Sequence, residues 1–102
     1  MQMEQGDILR IEGIAHPVMI VSNAFFNRSG SAIVCPIVEK TAEGPLHIRL
    51  EGNQNIRGIV LCEQMKYLDL RNRRYAKLGS ASYYETMDIS DAVMGIFDYQ
   101  NT

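Results

Sequence analysis

Glu63 and Gln64 stand where the short apolar run Ile59-Val-Leu61 ends and side chains begin to meet solvent. Lys66, Arg71, Arg73, Arg74 and Lys77 follow, with Asp69 the one acid among them. A core strand that delivers polar groups to its rim and runs on into a basic segment suits a phosphate-bearing ligand. The plainer reading is a strand followed by a solvated, Arg-rich connection. The two histidines, His16 and His47, show no metal-ligand spacing with Cys35 or Cys62, so no zinc site and no other metal or cofactor is expected.

The elements that position these groups fit one domain of 102 residues, 46% hydrophobic and 22% charged. That composition supports a real core and argues against disorder. The formal net charge is −2, so bulk charge does not point to nucleic acid. Local asymmetry does: five of the ten Lys and Arg lie between Lys66 and Lys77, whereas Glu85, Asp88, Asp91 and Asp98 occupy a stretch without a base. No apolar run reaches the roughly 20 residues of a membrane span, and Glu4, Asp7 and Arg10 break any leader-like pattern at the start. Each cysteine lies in an apolar run and is expected to be a reduced core residue. A cytoplasmic protein is expected.

In chain order, Gly6–Ile11 reads as a strand and Gly13 as its turn. Val18–Val21, apolar on both faces, reads as a central strand, with Pro17 at its start where a missing N–H does no harm. Ser22–Gly30 is a connection in which Phe25 and Phe26 are expected to anchor while Asn27 and Arg28 face outward. Ser31–Val38 is a third strand, in which Pro36 implies a bulge or an edge. Lys40 and Thr41 fall in a loop, and Leu46–Leu50 alternates as a strand with His47 and Arg49 on its outer face. Glu51–Asn55 is a turn, the Ile59–Leu61 strand follows, and Tyr75–Leu78 reads as one more short strand. Ser82 and Glu85 form a capping box. Beyond it Met87, Ile89, Val93, Met94, Ile96 and Phe97 share one side of a helix and are expected to cover the open end of the sheet, with a partner-binding helix as the alternative.

This order of elements, with Gly6-Asp-Ile8, His16-Pro-Val-Met-Ile-Val21, Asn27-Arg28, Cys35-Pro-Ile37, Val60-Leu-Cys-Glu-Gln64, Lys66 and Leu68-Asp69, resembles the MazF/PemK family over nearly the whole chain. The family comprises toxins of bacterial type II toxin–antitoxin pairs. The resemblance implies a mainly β fold: a small, strongly twisted antiparallel SH3-like barrel, CcdB/PemK-like, with a C-terminal helix. It also implies a homodimer, metal-independent sequence-specific cleavage of single-stranded RNA, and a cognate antitoxin that lays a disordered segment across the RNA groove. The chain departs from the family pattern at named positions. One version of the family has Arg before the Pro of the second strand and Thr at the end of the third, where this chain has His16 and Val38. Another has Arg and Asp at the end of the fifth strand, where this chain has Leu61 and Glu63. The first connection is also shorter than usual, a few residues around Gly13.

Cleavage through the 2′-hydroxyl needs a base for that proton, an acid for the leaving 5′-oxygen, and fixed cations or donors at the phosphate. Histidine titrates near neutral pH, which makes His16 a candidate catalytic residue with Glu63 as its partner. Lys40, Thr41 and Lys66 are candidates for holding phosphate, and Gln64, Asn27 and Arg28 for contacting single-stranded RNA. Beside each stands a plainer reading: His16 as a strand-start residue, Glu63 as an ion-pair partner of Arg28 or Lys66, Lys40 and Thr41 as ordinary loop residues. The competing function is a binding module that has lost cleavage and takes an antitoxin, RNA or a protein target such as gyrase. The gyrase-poisoning CcdB toxins share the barrel without being nucleases.

Overall fold

Strands β1 (Asp7–Ile11) and β2 (Val18–Ile20) form the expected antiparallel hairpin. The structure, a computed structural model, describes residues 2–52 and 56–98. The turn expected over Glu51–Asn55 therefore lies partly outside the described residues. β2 is central, with β1 on one side and β3 (Ser31–Val38) on the other, and all three of its residues are buried. Alternation explains this. Val18 and Ile20 join Leu9, Ile11, Ala32 and Val34 in one apolar cluster, while Met19 joins Ile8, Cys35 and Ile37 in a second cluster on the opposite face.

β3 is the strand around which the sheet turns. It pairs with β2 through residues 34–36, with β6 (Lys66–Asp69) through 31–34, and with β5 (Arg57–Leu61) through 37–38. Val21 donates to Ile33 O and Ile37 donates to Pro17 O, so odd-numbered residues of β3 face β2. Pro36 thus turns its missing N–H to the other side, at the junction where β6 ends and β5 begins. It neither forms an edge nor breaks the β2 ladder. β4 (His47–Glu51) pairs with β5, and β7 (Tyr75–Ser80) pairs with β1. The order is β4-β5-β3-β2-β1-β7, antiparallel throughout, with β4 and β7 at its ends; the sheet is barrel-like without closing.

Three expectations change. Phe25 and Phe26 are exposed and Asn27 is buried, the reverse of the predicted orientation. The Asn27 amide donates to Met3 O (3.0 Å) and Ser22 O (3.1 Å), and its oxygen accepts from the Ser22 hydroxyl. A buried amide with three partners ties the chain start to the 3₁₀ turn Phe26–Ser29, and both of its donors are spent inside the fold. Second, the basic segment is not merely a connection, because its first four residues form β6. Third, the helix α1 (Tyr83–Gly95) buries only Ile89 fully. Val93 and Ala92 are half-buried, while Met87, Met94, Ile96 and Phe97 are exposed. One sheet face packs its own cluster and the other takes in only Ile89, Ala92 and Val93 of α1, which meets the sheet chiefly at β4, so most of the helix's apolar side has no cover within the described chain.

The capping box is present as predicted. Glu85 N donates to the Ser82 hydroxyl (3.1 Å) and Ser82 N donates to Glu85 Oε1 (2.9 Å). The other carboxylate oxygen, Oε2, accepts from Glu51 N (2.7 Å), which ties the helix start to the end of β4. Burial opposes the charge on Glu85, yet these hydrogen bonds together hold its carboxyl below the usual range. Glu85→Ala should therefore cost about 1–2 kcal/mol in urea unfolding at neutral pH. The penalty should shrink on acidification through the lowered Glu85 pKa, because protonation already removes this contribution from the wild type.

Candidate functional site

His16 is fixed by its neighbours rather than by a bond of its own. Pro17 restricts the His16 backbone to extended conformations, and Pro17 O accepts from Ile37 N (2.8 Å), pinning this corner to the end of β3. The exposed imidazole borders two clefts. One, of about 250 Å³, has an apolar floor of Ile14, Val18, Val34, Pro36 and Leu68, with Gln64 and Lys66 also lining it. The other, of about 560 Å³, is lined by Arg10, Lys40 and Arg57 with Glu39, beside Pro17, Ile37 and Val38. An apolar slot thus adjoins a cationic slot, and His16 lines both.

Gln64 and Lys66 therefore join His16 on one side, and Lys40 joins it on the other. Glu63 joins neither cleft. Its Oε2 lies 3.1 Å from His47 Nε2, and His47 Nδ1 is hydrogen-bonded to Ala42 O. Thr41 is half-buried in the loop that this contact fastens. Arg28 stacks over Phe25 at 5.2 Å, beside a separate cleft at Met3, Ala24 and Gly30. The predicted site residues thus fall into a central group of His16, Lys40, Gln64 and Lys66, with Asn27, Arg28, Thr41 and Glu63 outside both clefts. Sequence reading did not single out Arg10, Arg57 and Glu39. Arg10, Glu39 and Arg57 lie far apart in the chain, and only the topology assembles them.

His47 explains Glu63. Both ring nitrogens face pure acceptors, a carbonyl and a carboxylate, and only the imidazolium can donate to both. The Ala42 carbonyl, then Glu63, raise the His47 pKa, and the His47 hydrogen bond lowers that of Glu63. The contact is thus complete from above the lowered Glu63 pKa up to the raised His47 pKa, and it weakens as pH leaves that window at either end. An NMR titration should find the His47 midpoint above that of an ordinary histidine. In Glu63→Gln the midpoint should fall part of the way, because the larger contribution from Ala42 remains.

The basic segment is partly spent inside the fold. Arg71 forms a bidentate pair with Asp69 (2.9 and 2.7 Å), which holds the Asp69 carboxyl down at about 2. Lys77 neutralises the buried Asp7 at 3.1 Å. Cys35 and Cys62 are free and buried, with Cys35 Sγ donating to Cys62 O at 3.7 Å. Burial pushes their thiols up to about 12 and about 11, so neither is a nucleophile near neutral pH. Among the described residues no cluster of His, Cys, Asp and Glu is placed to hold a metal ion, and no helix is long and apolar enough to cross a membrane.

Solved structures share this architecture. A MazE–MazF complex from Deinococcus radiodurans superposes with TM-score 0.82 at 21% identity, covering 95% of this chain and 96% of that one. An endoribonuclease in complex with its cognate antitoxin, from a mycobacterial species, gives 0.80 at 18% identity, covering 92% and 93%. Mycobacterium tuberculosis toxin MazF-mt6 gives 0.73 at 14% identity, covering 94% and 99%. At these identities the likeness carries the fold. No curated protein matches the chain. Residues 5–97 match the family model described as PemK-like, MazF-like toxin of type II toxin–antitoxin system, and with nearly the whole chain inside that match, the protein belongs to this toxin family.

Proposed function

We propose that this toxin is a metal-independent endoribonuclease that cuts single-stranded RNA through the 2′-hydroxyl of the nucleotide before the break. The observation that carries the reading is the place of His16, between an apolar slot suited to a base and a cationic slot suited to the adjoining phosphate. Packing on the apolar floor and edge contacts from Gln64 position the base, and Lys66 and Lys40 attract the backbone. His16 exchanges a proton with the 2′-hydroxyl or the leaving 5′-oxygen. Glu39, which lines the phosphate cleft, is its acid–base partner in place of Glu63, whose carboxylate is engaged by His47. The products carry a 2′,3′-cyclic phosphate and a 5′-hydroxyl.

Two partners belong to this reading. A cognate antitoxin inhibits by covering the His16 clefts with an extended segment. A second copy of the chain covers the exposed apolar side of α1, where Tyr83, Tyr84, Met94 and Phe97 are each more than 60% exposed. The test is incubation of the purified toxin with a long single-stranded RNA in EDTA, with mapped ends. Discrete cuts with cyclic-phosphate ends are expected. Tight binding of RNA or of a peptide with every strand left intact would overturn the nuclease and leave a binding module.

A further inference from the structure

The cleft on the phosphate side of His16 collects more positive charge than the chain's composition suggests. Arg10 projects from β1 at the one exposed position of that strand. Arg57 opens β5, and Lys40 comes from the loop after β3. Of the described acids only Glu39 lines the same cleft. Three cations thus meet one carboxylate in a protein whose formal net charge is −2. Among the described residues the ion pairs engage His47, Arg71 and Lys77, and none engages Arg10, Lys40 or Arg57. Glu51 stands opposite Arg57 in the β4–β5 register, yet no ion pair joins them.

The Arg57 head is also positioned. Gly52 has φ +83°, and a Cβ there would lie 3.0 Å from Arg57 Nε and 3.1 Å from Cζ. The Arg57 side chain therefore lies close against the Gly52 backbone, and a Cβ there would force it to give by a few tenths of an ångström. We infer that Arg10 and Arg57 form a two-guanidinium clamp on an RNA phosphodiester beside His16. The clamp rests on the reading of this cleft as the phosphate side of an RNA site. Guanidinium suits the task because its planar fork can donate two hydrogen bonds to one phosphate and keeps its charge at every working pH. Charge that builds on the non-bridging oxygens as the 2′-oxygen attacks falls between the two forks.

The test is fluorescence anisotropy with a single-stranded oligonucleotide made uncleavable by a 2′-deoxy substitution, alongside cleavage of the matching RNA. Arg10→Gln and Arg57→Gln should each weaken binding about tenfold, the loss of a charged hydrogen-bonded contact. Each should also flatten the slope of log affinity against log salt by about 0.7. The Lys variants should restore the salt slope but only part of the cleavage rate, since charge returns without the fork. Arg49→Gln, in the separate cleft beside His47, should bind like the wild type. Wild-type affinity and salt slope in both Gln variants would overturn the clamp even if RNA is still cut. Arginine-dependent binding by a protein that cuts nothing would uphold the clamp and overturn the nuclease. A wild type that fails to bind the oligonucleotide would overturn the clamp, and one that also leaves the matching RNA intact would overturn both.

Discussion

His16→Ala is expected to slow RNA cleavage by about 10²- to 10⁴-fold, the usual contribution of a positioned general acid or base. Affinity for an uncleavable RNA and thermal stability should stay near wild type. The separation follows from the surroundings of the residue. The imidazole is exposed and makes no hydrogen bond within the described chain, so truncating it leaves no buried group unpaired. The corner that carries it is held by Pro17 and by the Ile37 N–H, both of which survive the change. Single-turnover rates with saturating toxin read the chemical step alone. Cleavage within about threefold of wild type would remove His16 from the mechanism. His47→Ala serves as the contrast: both nitrogens of that ring are committed to Ala42 and Glu63, so the ring acts on the loop that holds Lys40 and cannot trade protons with a substrate while so bonded.

What the sequence revealed depended on how local the cause was. The capping box, the hairpin at Gly13, the start of β2 at Pro17 and the alternation of β4 are set by residues a few positions apart, and each is present. Causes that act over distance were not legible. Lys66–Asp69 carries no hydrophobic alternation, and it is a strand because β3 supplies its partners. Asn27 turns inward because Met3 O, 24 residues away, needs a donor. The β4–β5 register, with His47 opposite Leu61, carries His47 to within reach of Glu63. Lys77 is consumed by Asp7 at the other end of the chain. The helical apolar stripe gave the face of α1 but could not say whether anything inside the chain would cover it. The pairing of Arg10 with Arg57 is the furthest case, since β1 and β5 are separated in the sheet by β2 and β3.

Gly58→Ala should be the most damaging single methyl group in the sheet, at about 3 kcal/mol or more. Two costs add. The backbone sits at φ +145°, which L side chains rarely adopt. The new Cβ would also stand 2.6 Å from Ile37 Cγ2 and 2.9 Å from Val38 O. The side-chain clash can relax by rotation of Ile37, but the carbonyl clash cannot. Val38 O belongs to a ladder in which β5 meets β3 through only two register pairs, Ile37↔Val60 and Val38↔Ile59, so backing away opens that junction. Gly13→Ala separates the two costs: its φ is +87°, with nothing within 4 Å of the added Cβ, so it carries conformational strain alone, about 1–2 kcal/mol. At about 4–8 °C per kcal/mol for a domain of this size, Gly58→Ala should melt roughly 12–24 °C below wild type, well below Gly13→Ala. Equal melting of the two would mean that β5 can shift freely against β3. That result would also weaken the clamp, because Arg57 immediately precedes Gly58, and a strand free to slide could not hold a guanidinium in register with His16.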